Sequence, residues 1–192
     1  MQKKILIIML CSLLLIVTGV VVFFLWNAGV FVLDRSAVVA SESVTWKGRT
    51  YSPISGEYKE GRTLAKDRDG HWNINVVKED PSHRFIVVRS FLDNYLYVSD
   101  DYDVPTSGEL TKVYWDNRYI SDAEFLDVVA KIEAERTTSF TYRTDRWSVE
   151  GPYMKKLCFA YEDCPVATNY KGYMGKVDGE WVITTEIKKA DY

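Results

Sequence analysis

The chain has two histidines in 192 residues, His71 and His83. No His-x-x-x-His or His-Glu-x-x-His spacing can form from them, which removes the usual zinc hydrolase patterns. No Gly-rich phosphate loop, nucleophile elbow or alternation of aromatic and basic residues is present either. Transferase, esterase and nucleic-acid readings therefore have nothing specific to rest on. Blocks of like charge, Pro or Ser repeats and polar tracts are missing too, so disorder is not indicated. The most informative absence is local: from Ile5 to Leu33 there is no charged side chain.

A bilayer core of about 30 Å needs about 20 apolar residues in a helix. Ile5 to Trp26 alone meets that length, and the run carries none of the polar stripe a buried core helix would show. Asn27 and Gly29 interrupt it near one end, and Trp26 lies where an aromatic residue would meet lipid headgroups. Lys3 and Lys4 precede the run, so the expectation is a single transmembrane helix with its N-terminus cytoplasmic and residues 34–192 outside. A cleaved signal peptide would have an apolar region of about 7–15 residues ending at small residues, and this run is longer. A lipid-modified Cys11 would need small residues before it, where Ile8, Met9 and Leu10 stand. The uncleaved anchor over residues 5–33 is the reading that fits.

The remaining 159 residues are a size at which one domain with one core is expected. They hold 22 basic and 27 acidic side chains, a net charge of −5. That disfavours nucleic acid or anionic headgroups as partners, which want a basic face. Ser36 to Ser43, small and weakly polar, reads as a linker, giving an anchor over 1–33, a linker over 34–43 and an outer domain over 44–192. Cys158 and Cys164 are the cysteines outside the anchor. Outside the cell, a pair this close is a disulfide candidate, contributing about 2 kcal/mol if unstrained. Two reduced cysteines in a strand and a turn are the alternative.

The outer part reads as strands. Val44 to Tyr51 is rich in β-formers, and Pro53 with Gly56 ends it. Asp69-Gly70 between Thr63–Lys66 and His71–Glu79 is a strong hairpin signal. In the second arm Trp72, Ile74 and Val76 should face the core, with Asn73 and Asn75 opposite. Asp80-Pro81-Ser82-His83 reads as a type I turn. Phe85-Ile86-Val87-Val88, apolar without alternation, suggests a central strand in a segment running to Leu92. Asp93-Asn94 turns the chain into Tyr95–Val98, and Leu110–Trp115 is a further strand.

One helix stands out. Ser121-Asp122-Ala123-Glu124 has the capping-box spacing, and Phe125, Val128, Val129 and Ile132 recur on one face. Strands resume at Thr138–Arg143, Lys156–Glu162 and Tyr170–Val177, and Asp178-Gly179 leads into Glu180–Lys188. The stretch around Asp178-Gly179-Glu180-Trp181 echoes the one around Asp69-Gly70-His71-Trp72, which suggests either duplication or two hairpins obeying the same rules. The sum is an α+β chain: a transmembrane helix, then a mostly antiparallel β-sheet domain with one amphipathic helix.

Candidate functional residues are few. His83 closes a turn and is a potential acid, base or ligand, although a backbone-capping role suits it better. Asp100, Asp101 and Asp103 could attract a hard cation, but a calcium loop needs more oxygen ligands and a central Gly. No metal or cofactor is implied. The chain is rich in Tyr and Trp, 13 and 6, which fill sheets or anchor protein contacts. Tyr95 and Tyr97 should share the face opposite Leu96 and Val98, making them candidate contacts. The functional expectation is a membrane-anchored outer domain that binds another envelope or secreted protein, as an accessory subunit or an immunity-type factor. The alternatives are an envelope hydrolase using carboxylates, such as Asp80 and Asp93, or a small-molecule or ion sensor.

Overall fold

The computed structural model describes residues 2–27, 32–136, 140–142, 154–177, 179–185 and 187–189. These residues form an α+β chain with two helices and mostly antiparallel sheets. Contacts group the chain into two compact units, Met1–Pro53 with Glu60–Asp101, and Ile54–Lys59 with Tyr102–Tyr192.

The first unit begins with α1 (Gln2–Asn27). Its side chains are described over 9–25. No helix among the described residues is long and apolar enough to cross a membrane. The large apolar side chains of α1 from Met9 to Leu25 are nevertheless uncovered by the protein, Leu15 to 74 % and Phe24 to 66 %.

Seven strands follow: β1 (Val38–Val39), β2 (Val44–Trp46), β3 (Arg49–Pro53), β4 (Glu60–Lys66), β5 (Asn73–Val77), β6 (Phe85–Arg89) and β7 (Asn94–Ser99). They make an antiparallel sheet in the order β1-β2-β3-β7-β6-β5-β4. Phe85 to Val88 on the inner strand β6 are all buried, as a continuous apolar run requires. The Asp69-Gly70 hairpin forms as expected. Asp67 closes it, donating its N–H to the Trp72 carbonyl at 3.0 Å and accepting the Trp72 N–H on its carboxylate at 2.8 Å.

Two expectations fail here for local reasons. Val44–Tyr51 is not one strand, because Lys47 and Gly48 adopt φ of +52° and +77° and turn the chain between β2 and β3. Both central residues at positive φ match a type I′ hairpin, for which Gly is suited. Nor do residues 34–43, expected as a linker, lie free of the sheet. Ala37 is fully buried, β1 pairs with β2, and the Asp34 carboxylate accepts the Trp46 indole N–H at 3.1 Å. The core of this unit comprises Ala37, Val44, Trp46, Tyr51, Ile74 and Ile86 with their neighbours. Asn75, expected to face solvent, is buried and donates its amide to the Glu60 carboxylate.

The second unit contains β8 (Leu110–Trp115), β9 (Arg118–Ile120), α2 (Ala123–Ala134), β10 (Phe140–Tyr142), β11 (Met154–Tyr161), β12 (Asn169–Val177), β13 (Glu180–Thr184) and β14 (Ile187–Lys189). Five strands form an antiparallel sheet, β13-β12-β11-β8-β9, while β10 and β14 pair in parallel. The short strand β9 was not apparent from the sequence. It arises because Asp116 and Asn117 both take positive φ, +50° and +61°, and fold the chain back on β8. The Asp178 turn residue lies outside the described residues, but β12 and β13 pair around it. In the echoing hairpins Ala65 pairs with Ile74, whereas Gly175 pairs with Val182, so the two differ in register by one residue.

The N-cap of α2 is Asp122 rather than Ser121, its carboxylate accepting the Phe125 N–H at 2.9 Å. The buried face also differs from the expected one: Leu126 and Val129 are buried, Phe125 and Ile132 pack beside them, and Val128 is 43 % exposed. Against them lie Val113, Trp115, Leu157, Phe159, Met174 and Ile183 of the sheet. Each such side chain stabilises the unit by about 1.5–3 kcal/mol relative to exposure.

Candidate functional site

Several of the polar candidates meet at one end of β3 and β7. Arg49 on β3 donates to the Ser82 carbonyl at 2.8 Å and lies 3.6 Å from the Asp101 carboxylate. Ser52 donates to the Asp100 carboxylate at 2.7 Å, and the Asp100 N–H donates to Thr50 at 3.0 Å. Ser99 donates its hydroxyl to Asp101. Asp103 is an exposed residue of the second unit and takes no part in this group. Among the described residues, no three His, Cys, Asp or Glu side chains are placed to hold a metal ion.

His83 sits in the left-handed region at φ +52° and closes its turn on the Asp80 carbonyl at 3.2 Å. Its ring lies 5.6 Å from Trp46, and its carbonyl accepts the Tyr51 hydroxyl at 3.1 Å. Burial pushes its pKa below the ordinary value, with Lys47, Arg49 and Arg62 acting in the same direction and Asp80 against. A neutral imidazole results at neutral pH. Asp80 is buried and serves the backbone, accepting the Phe85 N–H at 2.7 Å and pairing with Arg84 at 3.4 Å. These residues build the turn.

The two tyrosines divide. Tyr97 is a core residue at 6 % exposure, its hydroxyl pKa raised by burial. Tyr95 is 48 % exposed and its ring lies 6.2 Å from Trp72. Beyond it, β6 ends at Arg89 and the turn occupies Ser90–Asp93, earlier than the Asp93-Asn94 expected. The Ser90 N–H donates to the Asp93 carbonyl at 2.9 Å, and the Ser90 hydroxyl oxygen accepts the N–H groups of Leu92 and Asp93. This turn holds Phe91 and Leu92 at 97 % and 84 % exposure. Both fall within the strand segment expected to run to Leu92, although flanking Ser90 and Asp93 are turn formers that mark the pair as a turn.

In the second unit a cavity of about 490 Å³ opens on the sheet face opposite α2. Alternation along β11 sends Leu157 and Phe159 toward α2, while Cys158 and Ala160 pack on the other side with Ala167, Tyr114 and Tyr119. Lys156, Cys158, Tyr170 and Tyr173 line the cavity from the strands. Ser55, Gly56 and Thr168 complete it, held where Glu57 and Ala167 exchange backbone hydrogen bonds of 3.1 and 3.0 Å. The Lys156 ammonium donates to the Glu57 carboxylate at 2.5 Å, which raises its pKa, and stands 5.9 Å above the Tyr170 ring. The Tyr119 hydroxyl donates to the Glu57 carbonyl.

Burial, then the hydrogen bond with Tyr173, pushes the Tyr170 pKa up to about 12. Burial lifts the Cys158 thiol to about 11, so it stays protonated and is a poor nucleophile. Cys164 is buried as well, its thiol donating to the Val166 carbonyl at 3.2 Å. The structure does not join the two cysteines in a disulfide: Cys158 packs in the sheet with Ala160 and Ala167, and Cys164 turns onto its own loop. No protein-family model matches this chain, and no curated protein or solved structure is significantly similar to it.

Proposed function

We propose that the protein is a membrane-anchored binding protein that engages another envelope or secreted protein through its first unit. The exposed Phe91-Leu92 tip carries this reading. A turn locked by three hydrogen bonds presents two bulky apolar side chains to solvent, with the Tyr95 and Trp72 rings tilted against each other at the same end of the sheet. Such a group is costly to leave in water and matches the aromatic anchors that dominate protein interfaces. The uncovered apolar surface of α1, with Lys3 and Lys4 before it, supports an anchor whose N-terminus is cytoplasmic and whose residues 34–192 lie outside. The net −5 outside the anchor favours a basic partner, chiefly by raising the association rate. Accessory subunit and immunity-type factor are the two roles this fits. The hydrolase alternative has less support, because Asp80 is committed to its turn.

The test places a photo-crosslinking residue at position 92 of the full-length protein in cells and identifies the adducts by mass spectrometry. One dominant protein adduct is expected. The double variant Phe91→Ser/Leu92→Ser should lose copurification of that protein while changing stability by no more than about 0.5 kcal/mol. A blank at position 92, or a partner retained by the double variant, would overturn the reading.

A further inference from the structure

The cavity of the second unit is open to solvent and lined by tyrosines together with a few polar side chains. Its volume, about 490 Å³, lies in the range of small-molecule pockets, which combine aromatic walls with a few convergent polar groups. The walls are Tyr170 and Tyr173, whose rings stand 6.1 Å apart at 89°, so one can offer a face and the other an edge to a planar guest. Hydroxyls of Ser55 and Thr168 and the ammonium of Lys156 supply the polar contacts.

Charge narrows the class of guest. Lys156 is the cation of the cavity lining, while Lys59 and Lys112 pack on Tyr119 beside it, outside the lining. Lys156 stands over Tyr170, and Lys59 and Lys112 lie 5.2 and 5.6 Å from the centre of the Tyr119 ring. Glu57 is the carboxylate that meets Lys156, and it sits next to Gly56 of the cavity lining. We infer that this cavity binds a small planar organic acid, an aryl carboxylate, with its ring against Tyr170 and Tyr173 and its carboxylate on Lys156. Lys156 is half exposed, so it can reach a ligand carboxylate without unfolding its strand. Neither the thiol of Cys158, which stays protonated, nor any group transfer is needed.

This inference does not depend on the protein-binding reading, which concerns the other unit. It is tested with the full chain in detergent, using ligand-observed NMR with benzoate, 4-hydroxybenzoate and 2-naphthoate. Their amides and inorganic phosphate serve as comparisons. At least one acid should bind with a Kd below about 1 mM, and its amide should bind about tenfold more weakly. Phosphate should not compete. Lys156→Gln should bring acid and amide to equal affinity, a ratio that mere loss of packing would not change. Tyr170→Ala, at a half-exposed position, should weaken both together. Absence of binding by all three acids, an acid preference surviving Lys156→Gln, or equal competition by phosphate would each overturn the inference.

Discussion

Gly172 offers the sharpest test of the second sheet. It sits at the bulge where β11 shifts register, Leu157 pairing with Gly172 and Cys158 with Tyr170, and it adopts φ +107°. A Cβ at this position would run into the Thr184 carbonyl oxygen and lie 3.0 Å from the Thr184 carbonyl carbon and from Thr185 Cα. The obstacle is backbone of the adjoining strand, so no side chain can swing aside. Holding an alanine in this region costs on the order of 1–3 kcal/mol. Displacing β13 forfeits about one further ladder hydrogen bond, about 1 kcal/mol. Gly172→Ala should therefore cost about 3 kcal/mol, which is about a hundredfold loss of protection in amide hydrogen exchange across β12 and β13. Gly48→Ala is the comparison: φ is +77°, but nothing lies within 4 Å of the added carbon. That change carries only the left-handed penalty of about 1–2 kcal/mol, read at β2 and β3. Protection in β12–β13 that falls by no more than in the Gly48 variant would refute the close approach of the two strands.

Other consequences follow from single contacts. Asp122→Ala should destabilise α2 by about 1 kcal/mol in urea unfolding, and Ser121→Ala should cost less, because Asp122 caps the Phe125 N–H. The opposite ranking would restore Ser121 as the cap. For His83, burial holds the folded pKa below the ordinary 6.5, so the unfolded chain binds the proton more readily. Stability should be full above pH 6.5 and fall as the pH drops from there through the folded pKa. His83→Gln should flatten that part of the pH profile of unfolding, and an unchanged slope would dismiss the partly buried imidazole as its source.

What the sequence made legible was whatever is decided locally. The Asp69-Gly70 hairpin is written in two adjacent residues. The inner strand at Phe85–Val88 shows in an apolar run that only burial on both faces explains. Lys47-Gly48 was missed because lysine is an uncommon residue at positive φ, and Asp116-Asn117 because the short strand it creates spans only Arg118–Ile120. Tyr95 and Tyr97 share a strand parity, yet only Tyr97 reaches the core. Parity sets the face, while neighbouring strands and loops set the cover. The cavity was out of reach altogether. Residues 55–56, 156–158 and 168–173 carry no common pattern, and β11, β12 and the Glu57–Ala167 bridge bring them together.

The burial of Ala37 and the Asp34–Trp46 bond also bear on the proposed function, in which an anchored protein either joins a membrane complex or captures a secreted partner. If residues 34–39 belong to the sheet, six residues separate Asn27, where α1 ends, from Asp34, a span of at most about 25 Å of chain. On the anchored reading, the first unit and its Phe91-Leu92 tip are then confined close to the bilayer. A partner fixed in the same membrane meets that tip at a high effective concentration, whereas a secreted partner arrives from solution and gains nothing from the tether. Inserting about 20 Gly/Ser residues between Asn27 and Asp34 separates the cases. Effective concentration falls roughly as the −3/2 power of tether length once the span is exceeded. Crosslinking at position 92 to a membrane-embedded subunit should therefore drop several-fold, while capture of a secreted protein should be unchanged. A loss of capture for a partner shown to be secreted would mean that the stretch from Asp34 to Val39 does more than join the sheet to the anchor.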